Sequence, residues 1–231
     1  MAGSGTNAAS REPVTRDRAV RAAVALADTG GIDSVSMRKL AAELGIEAMS
    51  LYYHVKSKDD VLDGMVEVVV GEMALPSGAD GTAAEWKTAM LERADSARAA
   101  LGRHPWAISL MDSRTTRATL RYHDAAIAAL RGSGFSIAMA AHAMSLLDSY
   151  VHGFALQEAS LPLDEAGDIG AVTEGIMAQR EIMQSYPNLA EMAETLVLQP
   201  GYAYGNEFGF GIRLILDGLE TALGRERSHP G

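Results

Sequence analysis

The chain has 231 residues, 48% of them hydrophobic, no cysteine, and a formal net charge of −10. That length holds a small domain plus a larger one, and the lack of cysteine excludes disulfide scaffolds, thiolate zinc sites and cysteine nucleophiles. No apolar run approaches the roughly 18 residues of a membrane span, and the N-terminus lacks the charged-then-apolar pattern of a secretory signal, so a cytoplasmic protein without a membrane partner is expected.

Charge is unevenly spread. Residues 1–64 carry 8 Lys/Arg against 9 Asp/Glu, whereas residues 65–231 carry 12 against 21. The first segment is therefore close to neutral. It can meet nucleic acid if its cations share one face, although long-range attraction will be modest.

Read in chain order, the pattern is helical nearly throughout, with Ala, Leu, Met and Glu between Gly, Pro and Ser breaks. Residues 1–14 are small and polar and read as a flexible arm. From Thr15 to Thr29, Val20, Ala23, Val24 and Ala27 make one amphipathic stripe, ended by Gly30-Gly31. Ser36 can cap a second helix, Met37 to Leu44, stopped by Gly45. A third, short helix is expected at about Glu47 to His54. Ser57 caps a fourth, with Asp60 three residues on as the other half of a capping-box-like pair, and this helix buries Val61, Leu62, Met65 and Val69 as far as about Met73.

The turn-rich stretch Pro76 to Gly81 marks a boundary between residues 15–75 and 82–225. Beyond it helices are expected near Ala83–Gly102, Pro105–Asp112, Thr115–Arg131 and Ser136–Glu158. After a loop at Ser160–Gly170 come Ala171–Ser185, Asn188–Leu198 and Tyr204–Leu223. The fold class is all-α: a three-helix N-terminal unit joined by a fourth helix to a larger helical domain.

Three helices within about forty residues, with Gly45 between the second and third, have the layout of a helix-turn-helix. Val24, Ala27, Leu40, Ala41 and Leu44, joined by Ile46, Leu51 and Val55, would form its apolar base. The third helix is then free to enter a major groove, whose width suits one α-helix. Its outward face offers Ala48, Met49, Ser50, Tyr53 and His54, with Tyr52 beside them. Ser36, Met37, Arg38 and Lys58 stand at helix starts, where backbone N–H groups and cations suit phosphate oxygens. Spacing alone also allows a plain packed bundle with Tyr52 and Tyr53 in its core.

The run VSMRKLAAELGIEAMSLYYHVKSKDDVLD, Val35 to Asp63, resembles the DNA-binding signature of the TetR (tetracycline-repressor-like) family of regulators, most specifically in Leu51 to Lys58. Gly134-Phe135-Ser136 ahead of a long helix, and FGFGIRLILDGLE from Phe208 to Glu220, resemble the C-terminal domain of its tetracycline-repressor branch. The resemblance implies a ligand-responsive transcriptional regulator, a repressor released from a palindromic DNA operator by a small-molecule effector. It implies that Glu47 to His54 is the recognition helix and that Lys58 grips the DNA backbone. It also implies a cavity in the second domain, with Trp86, Arg93, His104, Trp106, Met111, Met144, Asp148 and His152 as candidate lining. Met111 and Arg93 stand where tetracycline repressors carry a histidine for the drug's metal and an asparagine for the drug. A metal–tetracycline effector is therefore not expected, and a more apolar molecule with one acidic group near Arg93 fits better.

DNA-reading helix-turn-helix proteins commonly act as symmetric dimers. The stripe Phe208, Ile212, Ile215, Leu219 and Leu223 is the expected seam of a homodimer, with Gly205, Gly209 and Gly211 clearing space for the partner. The long helix Ser136–Glu158, apolar around most of its girth, would be buried on two sides in a four-helix interface. Stripes of this kind also build cores within one chain.

No enzyme is expected, and no metal or cofactor. His142 and His152 lie ten positions apart on one helix, roughly 15 Å along its axis, too far for a shared ion. No Gly-x-Ser-x-Gly elbow, phosphate loop or dinucleotide fingerprint is present. The competing class is an all-helical enzyme or small-molecule carrier, which would leave Ser36 to Lys58 without a purpose.

Overall fold

The computed structural model describes residues 13–76, 83–161, 175, 178, 179, 182 and 185–228, and all its regular elements there are helical. Most of the expected helix Ala171–Ser185 and loop Ser160–Gly170, like most of the N-terminal arm and of the break at 76–81, lies outside the described residues. In order the helices are α1 (Arg16–Gly30), α2 (Met37–Leu44), α3 (Ala48–Leu51), α4 (Lys58–Gly71), α5 (Ala83–Arg103), α6 (Ala107–Met111), α7 (Arg117–Gly132), α8 (Ile137–Ser160), α9 (Pro187–Met192) and α10 (Asn206–Ser228).

Side-chain caps fix the starts of the first helices. Thr15 accepts from the Arg18 N–H, Ser36 from Lys39 and Ser57 from Asp60, each satisfying one free donor of a first turn. Gly45 ends α2 in the left-handed region at φ +69°, which a side chain would resist. Asp60 does not close the expected capping box. Its Oδ2 accepts instead from the Lys56 N–H, one residue before the cap, while Oδ1 binds Arg16 of α1 at 2.9 Å. Its carboxyl is consequently held below the usual carboxylate range, first by the Lys56 N–H and then by Arg16.

The N-terminal unit packs α1 against α2 and α4, and α2 against α3. Val20, Ala23, Val24, Ala27, Leu40, Ala41, Leu44, Leu51 and Val55 are buried there, with Ile46 packed at the edge. Gly64 sets the α1–α4 crossing: a Cβ at that position would stand 2.6 Å from a Val20 methyl. The far side of α4 packs on α5, α6 and α7, so this one helix carries the connection between the two units. In the larger unit α5 and α8 pack against each other, with α7 and α10 on α8.

Two elements are shorter than the spacing predicts. Regular α3 stops at Leu51, and the chain continues to His54 in tight bonds from Tyr53 N to Ser50 O and His54 N to Leu51 O, the i→i−3 pattern of a 3₁₀ turn. Glu47 starts α3 without a side-chain cap. The expected helix Asn188–Leu198 is α for Pro187–Met192 only, and then widens to a π-helical turn over Ala193–Val197.

Candidate functional site

The base of the helix-turn-helix is filled by Leu40, Ala41, Leu44, Leu51 and Val55, which leaves the other side of α3 and its following turn to solvent. Met49 is 75% exposed and Tyr53 88% exposed, with Tyr52 and His54 also outward. The two tyrosines are thus not core. Ser50 is half-buried, and Ala48 packs partly against the base. Exposed aromatic and thioether side chains on a rigid short helix are costly to leave in water without a partner. Lys58 is exposed at the first position of α4 and Arg38 at the second of α2, after the half-buried Met37, where free backbone N–H groups and the positive helix end favour an anion.

The eight candidate cavity residues fall into three groups. His104 and Trp106 are buried, but their ring nitrogens face the N-terminal unit: Trp106 Nε1 donates to Asp28 Oδ1 at 2.7 Å, and His104 Nδ1 lies 2.7 Å from the same oxygen. Neither lines the cavity described below; both are clamped by the last turn of α1. Met111, Asp148 and His152 do come together. With Asp112, His123, Ser145 and Ser149 they line an open cavity of about 410 Å³ between the α6–α7 segment and α8.

Trp86, Arg93 and Met144 are buried inside the larger unit. Arg93 is only 1% exposed. Its Nη2 donates to Asp148 Oδ1 at 2.8 Å, and its guanidinium carbon sits 4.3 Å over the Tyr122 ring. Yet among the described residues Arg93 Nε, Tyr122 Oη and Trp86 Nε1 have no hydrogen-bond partner. A buried polar group left unpaired costs about 1–3 kcal/mol, so three in one interior are an expensive arrangement. Burial pushes the Tyr122 phenol up to about 12, which keeps it a neutral donor.

A second polar seam joins the two units on the other side of α6. Arg114 forks onto Asp59 Oδ1 at 2.8 Å and Asp63 Oδ1 at 2.7 Å, in the first turns of α4 beside Lys58. Glu72 at the end of α4 binds Arg103 at 2.6 Å and faces His104 Nε2. The Arg103 guanidinium, ahead of His104, holds the Glu72 carboxyl below its usual range. The five-residue α6 is therefore anchored to the N-terminal unit both before and after.

Comparison with known proteins decides what this arrangement belongs to. Residues 19–65 match the family of tetR-type bacterial regulatory proteins, and residues 77–223 match the tetracyclin repressor-like C-terminal domain. The chain belongs to the TetR family. It is 31% identical over 224 residues to the HTH-type transcriptional repressor DrrR1 of Streptomyces coeruleorubidus, covering 93% of this chain and 80% of that protein. It is 36% identical over 180 residues to an HTH-type transcriptional regulator of Saccharopolyspora erythraea, covering 77% of this chain and 74% of the other. Its fold matches the Streptomyces coelicolor TetR-family protein ActR in complex with actinorhodin, with TM-score 0.71, 27% identity, and 92% and 100% coverage. The chain is a ligand-responsive transcriptional regulator of the TetR class.

For this TetR-family chain the expected dimer seam needs correction. Phe208, Ile212, Leu219 and Leu223 are buried by the chain's own helices, so these four have no surface to offer a second copy, and Ile215 beside them is half-buried. Gly205 and Gly211 make room for side chains of α5 and α8, whereas Gly209 faces only the exposed Arg213 of its own helix. A Cβ at Gly205 would meet the Arg98 guanidinium, one at Gly211 the Tyr150 phenol, and one at Gly209 Arg213. The outward apolar residues of α10 are Phe210, 61% exposed, and Leu214, 57% exposed. On α8 the outward face runs Ala138, Ala141, His142, Ser145, Leu146, Ser149, Gly153 and Leu156, with no Asp, Glu, Lys or Arg among them.

Asp28, Glu72, Arg114 and Tyr122 are the important residues that spacing did not single out. Only Tyr122 had a local signal, a large aromatic on the buried stripe of α7 with Ala126 and Ala129. Among the described residues no group of three His, Cys, Asp or Glu side chains is placed to hold a metal ion, and no helix is long and apolar enough to cross a membrane.

Proposed function

We propose that the chain is a homodimeric repressor. Residues 15–75 form the DNA reader and residues 82–225 the sensor and dimer domain. Each subunit lays α3 and its following turn in the major groove of one half of a palindromic operator. The carrying observation is the fully outward pair Met49 and Tyr53 on a helix whose opposite side is locked into the N-terminal core. Met49 and Ala48 suit thymine methyls, and Ser50, Tyr52, Tyr53 and His54 supply hydrogen bonds to base edges and phosphates. Ser36, Met37 and Arg38 at the start of α2, and Lys58 at the start of α4, hold the backbone. A near-neutral reader relies on these shaped contacts and on having two heads more than on bulk attraction.

The second copy covers the uncharged outward face of α8 and the Phe210–Leu214 strip of α10, giving four helices at the seam. An exposed 24-residue helix face without one charge is otherwise unusual for a surface. The regulator works in the cytoplasm, where its DNA is.

The effector is a small molecule held in the sensor domain, and ActR, similar in fold, has been crystallised with one. It acts only through different affinity for two conformers. The clamps on either side of α6 give that difference a route: Met111 of α6 lines the cavity, while Arg114 holds the first turns of α4 next to Lys58.

The test is selection of bound duplex from a random DNA pool by the full chain. Enrichment of a palindrome with half-sites about one helical turn apart supports a dimeric reader. Recovery of no common sequence, or of a single half-site, contradicts it.

A further inference from the structure

The larger unit holds an incompletely satisfied charge pair, with Arg93 buried and Asp148 half-buried. Among the described residues Arg93 of α5 meets Asp148 of α8 through Nη2, and its Nε has no acceptor. Tyr122 of α7, whose ring lies against the same guanidinium, has no partner for its hydroxyl. Two turns earlier on the same face of α5, Trp86 Nε1 is a third buried donor without an acceptor. The three groups share one deficiency: each can donate a hydrogen bond, and acceptor oxygens are missing. Asp148 is the acceptor that the described residues give Arg93, and it also helps to line the 410 Å³ cavity.

Asp148 also has an alternative partner. His123 Nδ1 lies 3.7 Å from its second oxygen, across the same cavity, and His152 on the next turn of α8 faces Asp112 at 3.6 Å. A carboxylate that releases Arg93 can therefore turn toward His123 without losing every favourable contact.

We propose that Asp148 is an internal stand-in for the effector's own anion, and that the effector is an apolar, aromatic molecule carrying one carboxylate or comparable acidic oxygen group. Its anion displaces Asp148 from Arg93, accepts from Arg93 Nε and Nη2 and from the Tyr122 hydroxyl, and leaves Asp148 to His123. Its ring lies in the cavity against Met111. This rests on the reading that the sensor domain holds the effector at the cavity between the α6–α7 segment and α8. It adds the chemical class and an exchange of counter-ions, which swings α8 relative to α5 in one ligand state only. A cationic ligand is disfavoured because it cannot accept from Arg93 Nε or the Tyr122 hydroxyl, and a purely neutral hydrocarbon leaves both unpaired; Trp86 Nε1, two turns away, is not served by this anion.

The experiment is calorimetric titration of the full chain with 2-naphthoic acid, its methyl ester and 2-naphthylmethylamine, which share one ring system. The acid is expected to bind at least about tenfold more tightly than the ester, a difference of about 1.4 kcal/mol, with the amine weakest. Asp148→Asn removes the stand-in charge and should tighten the acid further while leaving the ester unchanged. The double variant Arg93→Met with Asp148→Asn removes both charges of the pair, so that none is left unpaired, and should bind acid and ester alike. An acid preference that persists in the double variant, or a wild type that favours ester or amine, overturns the proposal while leaving the effector cavity standing. Binding of none of the three probes by a folded wild type overturns the cavity reading as well.

Discussion

Trp106 Nε1 donates to Asp28 Oδ1 across 2.7 Å, tying the start of α6 to the last turn of α1. His104 approaches the same oxygen, so one carboxylate of the reading unit is gripped by two rings of the sensor unit. Trp106→Phe keeps the apolar contact and removes the donor. Thermal unfolding should show a loss of about 1–2 kcal/mol, since the acceptor is charged but partly solvated. Operator affinity without effector should change little, whereas the effector's ability to release the operator should fall, because α6 no longer moves α1 with it. Equal release in wild type and variant would show that this clamp carries no signal.

Asp60 supplies a pH-dependent term. Its carboxyl is held below the usual range by the Lys56 N–H and then by Arg16. A lowered folded-state value means that the stabilisation is present above the unfolded carboxylate pKa and is lost as pH falls through the folded one. Asp60→Asn should therefore lower the melting temperature at pH 7. The gap between variant and wild type should narrow steadily in melts taken below about pH 4. A gap that is constant across that range would remove Asp60 from the acid response.

The corrected seam makes a direct prediction about assembly. Leu214→Glu places a charge on the outward strip of α10, away from the chain's own core. Sedimentation should show half the wild-type mass at micromolar concentration, with an unchanged circular dichroism spectrum. Operator affinity should drop by about a hundredfold or more, since the second head no longer binds as part of one particle. A variant that stays dimeric would place the seam elsewhere.

How much of this was legible beforehand depended on the distance over which information travels. Leu40, Ala41 and Leu44 sit at helical spacing between a serine cap and a glycine stop, so α2 and the base of the reader could be read from the residues themselves. The α10 stripe Phe208, Ile212, Leu219 and Leu223 was equally visible, but periodicity says only that a face is covered, not by which chain. The neighbouring strip of Phe210 and Leu214, masked by the stronger pattern, is the one left open. Asp28 was beyond reach: it lies 76 and 78 positions from the rings it binds, and nothing around it distinguishes it from a solvated carboxylate. Arg93 was singled out by resemblance, while its orphaned Nε and the matching Tyr122 hydroxyl emerge only from the packing of three helices.

The central claim is that α3 and its turn read DNA, and the most direct measurement is a fluorescence anisotropy titration of the selected duplex with wild type and Tyr53→Ala. Tyr53 is the most exposed of the candidate aromatics, so its removal should leave dimer mass and melting unchanged. Affinity for the selected duplex should fall by roughly tenfold to a hundredfold, with little change on random duplex. Identical affinities for wild type and variant on the selected sequence would contradict the assignment of this helix as the reader.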